Sequence, residues 1–373
     1  MRPNLRTEQE IMKNWKGTKP VVSICCLAYN HEPYIEDALE GFLIQETDFP
    51  FEVLIHDDAS TDHTADIIRE YEAAYPHIIK PIYQTINQFT HGGNLTIRFQ
   101  YPRAQGEYIA FCEGDDYWTS PIKLQKQVEA LSKHYEINIC FHSAKCIKNG
   151  KILRDVLCHY SDNEKIFTLE ETILGDGGFM PTPSVMFRSK VIPKLITFFK
   201  SAGNTGVGDL FTQIIASNPN GSLFIPYTFS AYRMNAKGSW TTKNSNNYQY
   251  RLQNNILIIN ALINLNNQIG SKSSIFLNQL RAKYLIGSSF VALVTRKYKI
   301  FTELYEEAIS ITNSKIPTQH FYAINHFHKY PKTLSFIIRT AIKLRNYFKH
   351  VLVLLRQPMQ KAISKICNRI TTK

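Results

Sequence analysis

Several things are missing from this 373-residue sequence. Its amino terminus, MRPNLRTEQEIMKNW, has no apolar stretch and does not read as a signal peptide. No run of about 18 apolar residues occurs, so no transmembrane helix is expected. The seven cysteines are odd in number and contain no CxxC pair. Three of them, Cys25, Cys26 and Cys112, sit inside apolar strand-like runs. They read as reduced thiols of a cytosolic protein, not as a disulfide frame or a zinc site. Acidic residues are absent from 332–373, a stretch that holds ten of the 43 Lys and Arg. The rest of the chain carries 33 basic residues against 31 acidic ones, so the formal charge of +12 belongs mainly to the tail. A near-neutral body gives no electrostatic footprint for nucleic acid. No internal repeat is present.

What the chain does have is alternation. VVSICCLA (21–28), FEVLIHD (51–57), KPIYQT (80–85) and EYIAFC (107–112) read as strands. Between the first two, Ile35, Ala38, Leu39, Phe42 and Leu43 follow helical spacing. TDHTADIIREYEAAY predicts a second helix, capped by Thr61 or Asp62, with Ile67, Ile68 and Tyr71 inward. A helix is also expected over 94–104, and another opening at Ser120-Pro121 with Leu124, Val128 and Leu131 on one stripe. Strands alternating with helices imply a parallel sheet covered on both faces, with ligands beyond the carboxyl ends of the strands. Acidic residues fall at those ends: Asp57-Asp58 after the second strand, and Glu113, Asp115 and Asp116 in CEGDDYW after the fourth. Crowded carboxylates raise one another's pKa unless a cation offsets them. The plainer alternatives are a solvated helix-capping loop at 113–116 and a turn followed by a cap at 57–64. Past residue 135 the pattern is mixed, with strands at NICFHSAKC, SVMFRS and SLFIPYTFSAYR, and from about 246 to 330 it is helical.

Three motifs in order, VSICCLAYNHEPYIEDALEGFLIQ, VLIHDDASTDHT and AQGEYIAFCEGDDYW, resemble the nucleotide-sugar-binding half of family 2 glycosyltransferases. VGDLFTQIIAS and AYRMNAKGSW resemble that family's acceptor-side motifs. The resemblance covers roughly residues 20–240. It implies an α/β, GT-A-type, mostly parallel sheet flanked by helices, Rossmann-like, followed by a C-terminal helical region. The expected organisation is a catalytic domain at 1–240, whose nucleotide-sugar half is about 20–135 and acceptor half about 136–240. A helical region at 241–331 and a basic amphipathic tail at 332–373 follow.

The resemblance also assigns roles. Asp116 is the expected ligand of Mg²⁺ or Mn²⁺, with Asp115 sharing the metal or bonding the ribose. Hard oxygen donors suit such ions, which keep phosphates and water as further ligands. Asp57 or Asp58 would read base and ribose, and Ala28, Tyr29 and Asn30 would line the base pocket. Arg98 is a candidate phosphate contact or merely a solvated helix face. Asp209 is the expected base, with an N-cap as its plainer reading and Asp176 as runner-up. Asn235 stands where many relatives carry His, which puts a metal contact from that loop in doubt. Arg233 and Lys237 would lie near the diphosphate. Trp118 and Trp240 would serve the acceptor or a lid, or else belong to the core.

The expected activity is inverting transfer of a sugar from a nucleoside diphosphate, UDP first, to a glycan or lipid-linked acceptor hydroxyl. A peripheral site at the inner face of the membrane is expected, with the tail on anionic lipid. The tail's alternative is a helix packed on the body. A sugar-phosphate nucleotidylyltransferase is the rival enzyme; it would need a Gly-rich basic loop where this chain reads LAYNHEPY. A catalytically silent glycan-binding protein of the same fold is the rival outside enzymes.

Overall fold

The computed structural model describes residues 5–148, 150–236, 242, 244 and 247–312, together with 331, 332, 335, 338 and 339. In chain order the elements are α1 (Glu8–Met12), β1 (Val22–Ala28), α2 (Ile35–Leu43), β2 (Phe51–Asp57), α3 (Thr64–Ala74), β3 (Ile79–Tyr83), β4 (Tyr108–Phe111) and β5 (Tyr117–Trp118). Next come α4 (Lys123–Lys133), β6 (Ile139–Lys148), β7 (Lys151–Leu157), β8 (Lys165–Phe167), α5 (Leu169–Gly175), β9 (Met186–Arg188), α6 (Ile192–Ala202) and α7 (Asp209–Ser217). β10 (Ser222–Met234), α8 (Tyr248–Gln268), α9 (Ser274–Val294) and α10 (Tyr298–Thr312) complete the described elements.

The strands form one sheet in the order β3-β2-β1-β4-β9-β6-β10-β5, with β7 on β6 and β8 on β10. From β3 to β4 the pairing is parallel, as apolar runs buried on both faces require. β9 enters antiparallel between β4 and β6, and β6 and β10 are again parallel to each other. All seven residues of β2 are buried, and β1 differs only in the half-buried Leu27. That burial is why β1 reads as a nearly continuous apolar run, whereas β2 also buries the polar Glu52, His56 and Asp57. In α2, Ile35, Ala38, Leu39, Phe42 and Leu43 are all buried against this sheet.

Local starts and stops differ from expectation in instructive ways. At α3 it is Asp62 that caps, its Oδ1 accepting from the Thr64 amide at 3.0 Å. α4 begins at Lys123 rather than Pro121 and has no cap from its own flank. Gln45, at the end of α2, serves instead: its Oε1 accepts from the Leu124 amide (3.1 Å) and its Nε2 donates to the Ser120 carbonyl (2.7 Å). The helix expected over 94–104 is only a wide turn at Thr96–Gln100 and a tight one at Tyr101–Arg103. Pro102 removes a donor there, and buried Gln100 donates instead to the carbonyls of Cys26 and Leu54, both at 2.9 Å.

The core does not stop at residue 240. Ile258, Ala261, Leu262 and Leu265 of α8, with Leu277 and Leu280 of α9, share one buried cluster with Phe198, Phe211 and Phe187. The compact unit accordingly runs to Tyr284. A second unit starts at Leu285 and includes α10, where Phe301 is buried and stacks on Tyr305. No described helix is long and apolar enough to cross a membrane. None of the six described cysteines is in a disulfide.

Candidate active site

Parallel strand order brings the ends of β1, β2 and β4 together, and the loops beyond them are tied by polar bonds. Asn30, in the left-handed region at φ 54°, donates its amide to Ser60 Oγ (2.9 Å). Its side-chain oxygen accepts from the Thr61 amide (2.7 Å), so this carboxamide joins two loops. The Ala28 carbonyl accepts from the Asp58 amide at 2.9 Å, and Tyr29 stays 41% exposed beside it.

The two acids after β2 have separate tasks. Both are buried. Asp58 is committed to the chain: its oxygens accept from the amides of Gln88 (2.7 Å) and Phe89 (3.0 Å), and His56 Nε2 lies 3.4 Å away. Asp57 spends Oδ2 on the Ser60 amide (3.2 Å), while its buried Oδ1 has no protein partner. Only Asp57 therefore has a carboxylate oxygen to offer a ligand. Arg98 is exposed and holds the same loop, donating to Gln88 Oε1 (2.9 Å) and the Gly92 carbonyl (3.2 Å).

After β4 the chain turns through Gly114, whose amide donates to the Leu27 carbonyl (2.9 Å). A Cβ there would lie 2.7 Å from His31 Nδ1, so only glycine lets the acidic loop settle on the end of β1. His31 was not singled out from the sequence, yet it interacts with Asp57, Asp62 and Asp115. Burial, working against those three acids, lowers its pKa, and its Nδ1 has no partner. Asp115 and Asp116 are buried, whereas Glu113 keeps solvent access. Burial and then Asp115 push Asp116 well above the usual carboxylate range, although its Oδ1 accepts from the Arg233 amide (2.7 Å). Glu113 is pushed up to about 8 by its enclosure, by Asp115 and by Asp209. Glu113 is thus exposed yet crowded by other acids, and its repulsion with Asp209 puts that residue within electrostatic reach.

Asp209 is the first residue of α7, where a carboxylate favours the helix dipole. Its Oδ1 accepts from the Leu210 amide at 2.8 Å, and burial raises its pKa. It therefore bonds its own helix start and lies within electrostatic reach of Glu113 at the same time.

Two expectations are corrected. Trp118 is 1% exposed: its Nε1 donates to the Pro183 carbonyl (2.8 Å), Phe42 packs edge-on, and Lys123 Nζ lies 3.9 Å from the ring centroid. It is core, with no face for a sugar, because β5 carries it inward beneath the acidic loop. Arg233 does not reach outward either. Its guanidinium pairs with Asp37, donates to the Asp115 carbonyl (2.8 Å) and lies over Tyr117. It braces the acidic loop from behind. Asn235 is exposed in a left-handed turn (φ 62°) after β10. Lys237, Trp240 and most of the basic tail lie outside the described residues.

Among the described residues no cluster of three or more His, Cys, Asp or Glu forms a metal cage. The donor set still fits a hard cation. Asp115 and Asp116 are oxygen donors side by side, and burial together with the neighbouring carboxylates, only partly offset by Arg233, raises the pKa of Asp116.

Residues 23–196 match the Glycosyl transferase family 2 model. That segment is a family 2 glycosyltransferase domain. The chain is 36% identical over 219 residues to an uncharacterized protein of Mycobacterium tuberculosis, covering 59% of this chain and 60% of that one. It thus spans about 60% of the length of these relatives. Over 120 residues it is 38% identical to the putative teichuronic acid biosynthesis glycosyltransferase TuaG of Bacillus subtilis, covering 32% of this chain and 44% of TuaG. Among solved structures, S. aureus TarS 1-349 in complex with UDP-GlcNAc matches with a TM-score of 0.60 at 16% identity, over 88% of this chain and 92% of that one. This last likeness establishes the fold, which is of the GT-A type.

Proposed function

We propose that this family 2 protein is an inverting glycosyltransferase that takes a sugar from a nucleoside diphosphate, UDP first, and passes it to an acceptor hydroxyl. The observation that supports it most is the acidic group at the ends of β2 and β4: Asp57 and Asp115 both act on His31, Asp115 acts on Glu113 and Asp116, and Glu113 and Asp209 repel each other. Asp57 Oδ1 accepts from the base or ribose, and Tyr29 offers its exposed ring to the base. Asp116 and Asp115 would hold Mg²⁺ or Mn²⁺. When bound, such an ion supplies neutralisation of the charge that builds on the diphosphate. Asp209 accepts the acceptor's proton as the new C–O bond forms and the bond to the diphosphate oxygen breaks in line, with the electron pair leaving on the diphosphate. Burial raises its basicity toward the working range. Inversion follows from the single displacement.

UDP is favoured by the UDP-GlcNAc complex of TarS, and a role in cell-surface polysaccharide synthesis by the teichuronic acid biosynthesis in TuaG's name. The rival nucleotidylyltransferase is disfavoured by the loop after β1, which is acidic and zipped to 60–64 instead of presenting a Gly-rich phosphate cradle. A silent glycan-binding role would leave the paired acids without purpose.

The test is release of UDP from UDP-GlcNAc with Mn²⁺, for wild type and Asp116→Ala. Loss of turnover in the variant supports the reading, and unchanged turnover removes Asp116 as an essential group. Peripheral attachment through residues 332–373 is tested separately by flotation on anionic vesicles with and without them. Equal flotation ends that part.

A further inference from the structure

The helices beyond residue 240 reach the acceptor side of the candidate site. Asp176 ends α5 at φ 61° and ψ −173°, a backbone conformation that residues other than glycine rarely adopt and that needs support. The support comes from α9. Tyr284 Oη donates to Asp176 Oδ1 (2.7 Å) and Lys283 Nζ to Oδ2 (2.8 Å), while the Gly177 amide also donates to Oδ1 (2.7 Å). This loop lies against the start of α7. A Cβ on Gly177 would sit 3.7 Å from Leu210 Cβ, and Gln213 Nε2 donates to the Met180 carbonyl (3.2 Å). From the other side α8 supports the loop that leads into Asp209. Gly206 (φ 72°) brings its Cα so near the Asn254 carbonyl that a Cβ would lie 3.1 Å from it.

We propose that Asp176, Lys283 and Tyr284 are positioning residues for Asp209: they fix the loop beside it and keep the neighbouring negative charge compensated. The inference rests on Asp209 being the base, and it gives the helical extension a part in that chemistry. The titratable and charged groups facing Asp209 are Asp176, Glu113 and Tyr284, with Lys283 acting through Asp176 and the Thr182 side chain bonding Asp209 directly. Asp176 raises the Asp209 pKa, so its ionic partner must lower it. Removing Lys283 leaves Asp176 uncompensated and favours the proton on Asp209. Removing the Asp176 charge does the reverse.

The measurement is the carboxyl ¹³C titration of Asp209 in aspartate-labelled protein, assigned by loss of its signal in Asp209→Asn. Lys283→Met should move the apparent pKa up by about half a unit to one unit, because Lys283 is largely exposed and screened. Asp176→Asn should move it down by about as much. Lys283→Arg, which keeps the pair, should titrate like wild type. Thermal melts of each variant exclude gross unfolding. An Asp209 titration that ignores both Lys283→Met and Asp176→Asn overturns the proposal. So does one that Lys283→Arg fails to restore. The titration needs no substrate, so its outcome is separate from that of the UDP-release test.

Discussion

The two halves of the candidate site are built differently. On the donor side, residues 22–116, each functional side chain sits just past the end of a parallel strand, and neighbouring loops are stitched by short polar bonds such as Asn30 to Thr61. On the acceptor side, Asp209 starts a helix and its surroundings come from three distant stretches: 176–182, Asn254, and Lys283-Tyr284. The donor side gets its geometry from the sheet. The acceptor side gets it from packing across the chain, so it should be the half that tolerates less remote change. Between them runs a buried seam, where Trp118 and Gln127 both donate to carbonyls of the 183–184 turn at 2.8 Å.

The largest effect should separate the halves chemically. Asp209→Asn removes the proposed base and should lower transfer by about 10²–10⁴-fold while leaving UDP affinity near wild type. Asp116→Asn should lower turnover and also weaken UDP binding in the presence of Mn²⁺. Calorimetric UDP titrations of both variants decide it, and parallel losses of UDP affinity would mean the halves are not separable.

The next test strikes the seam. Trp118→Ala empties a fully buried site and should destabilise the fold by about 3–5 kcal/mol in a urea melt. Gly41→Ala is a subtler probe of the same place. A Cβ at Gly41 would meet Trp118 N at 2.8 Å, so a helix-favouring substitution should here destabilise by about 1–3 kcal/mol. A neutral or stabilised Gly41→Ala protein would show that β5 can shift freely, and the seam would lose its claim to rigidity.

How much of this could be read in advance follows the same division. β1 and β2 were legible almost to the residue because strands buried on both faces are mostly apolar, even though β2 also carries Glu52, His56 and Asp57. The acids at their ends were legible because topology alone carries them to one edge. The fates of Asp57 and Asp58 were not, since only coordinates reveal that Asp58 spends both oxygens on the amides of 88 and 89. Of the two readings open for Trp118 the structure takes the core one, and Arg233 turns inward as well: an aromatic or a cation beside an acidic motif looks like a ligand contact, whereas here Phe42, Pro183 and Asp37 claim them. His31 had a signal, its place directly after Asn30 at a strand end. Lys283 and Tyr284 had none, because nothing local marks the one helical turn that reaches Asp176.

Lys123 offers a pH-dependent probe of the seam. It is wholly buried, with Nζ on the Trp118 ring and 2.6 Å from Gln127 Oε1, and burial pushes its pKa down to about 7. In the unfolded chain lysine titrates near its ordinary value of about 10.4. Between these two values the unfolded state binds the extra proton, so the contribution of Lys123 to stability rises with pH across that window. Below pH 7 the proton is bound in both states and the full penalty of a buried charge applies. Lys123→Met keeps the chain length and removes the titration. The stability of wild type relative to Lys123→Met should therefore rise by about 2–3 kcal/mol from pH 7 to pH 9. Parallel stability curves would place an intact charge in the seam at all pH values.

The smallest expected effect splits two neighbours that look alike in sequence. Asp57→Asn keeps one acceptor oxygen but loses the charge behind Oδ1, and should weaken UDP binding by about tenfold, or roughly 1.4 kcal/mol. Asp58→Asn should weaken UDP less, and instead raise hydrogen exchange at the amides of Gln88 and Phe89, whose acceptor has lost its charge. That loop continues to Asn94, whose Nδ2 would lie 2.8 Å from a Cβ on Gly208, next to Asp209. Asp58 therefore sits on the donor side but supports the acceptor side. Its substitution should be felt in transfer more than in UDP affinity. If both variants lost UDP affinity equally and neither altered exchange at 88–89, the contrast between the pair would be erased and Asp58 would return to the donor pocket.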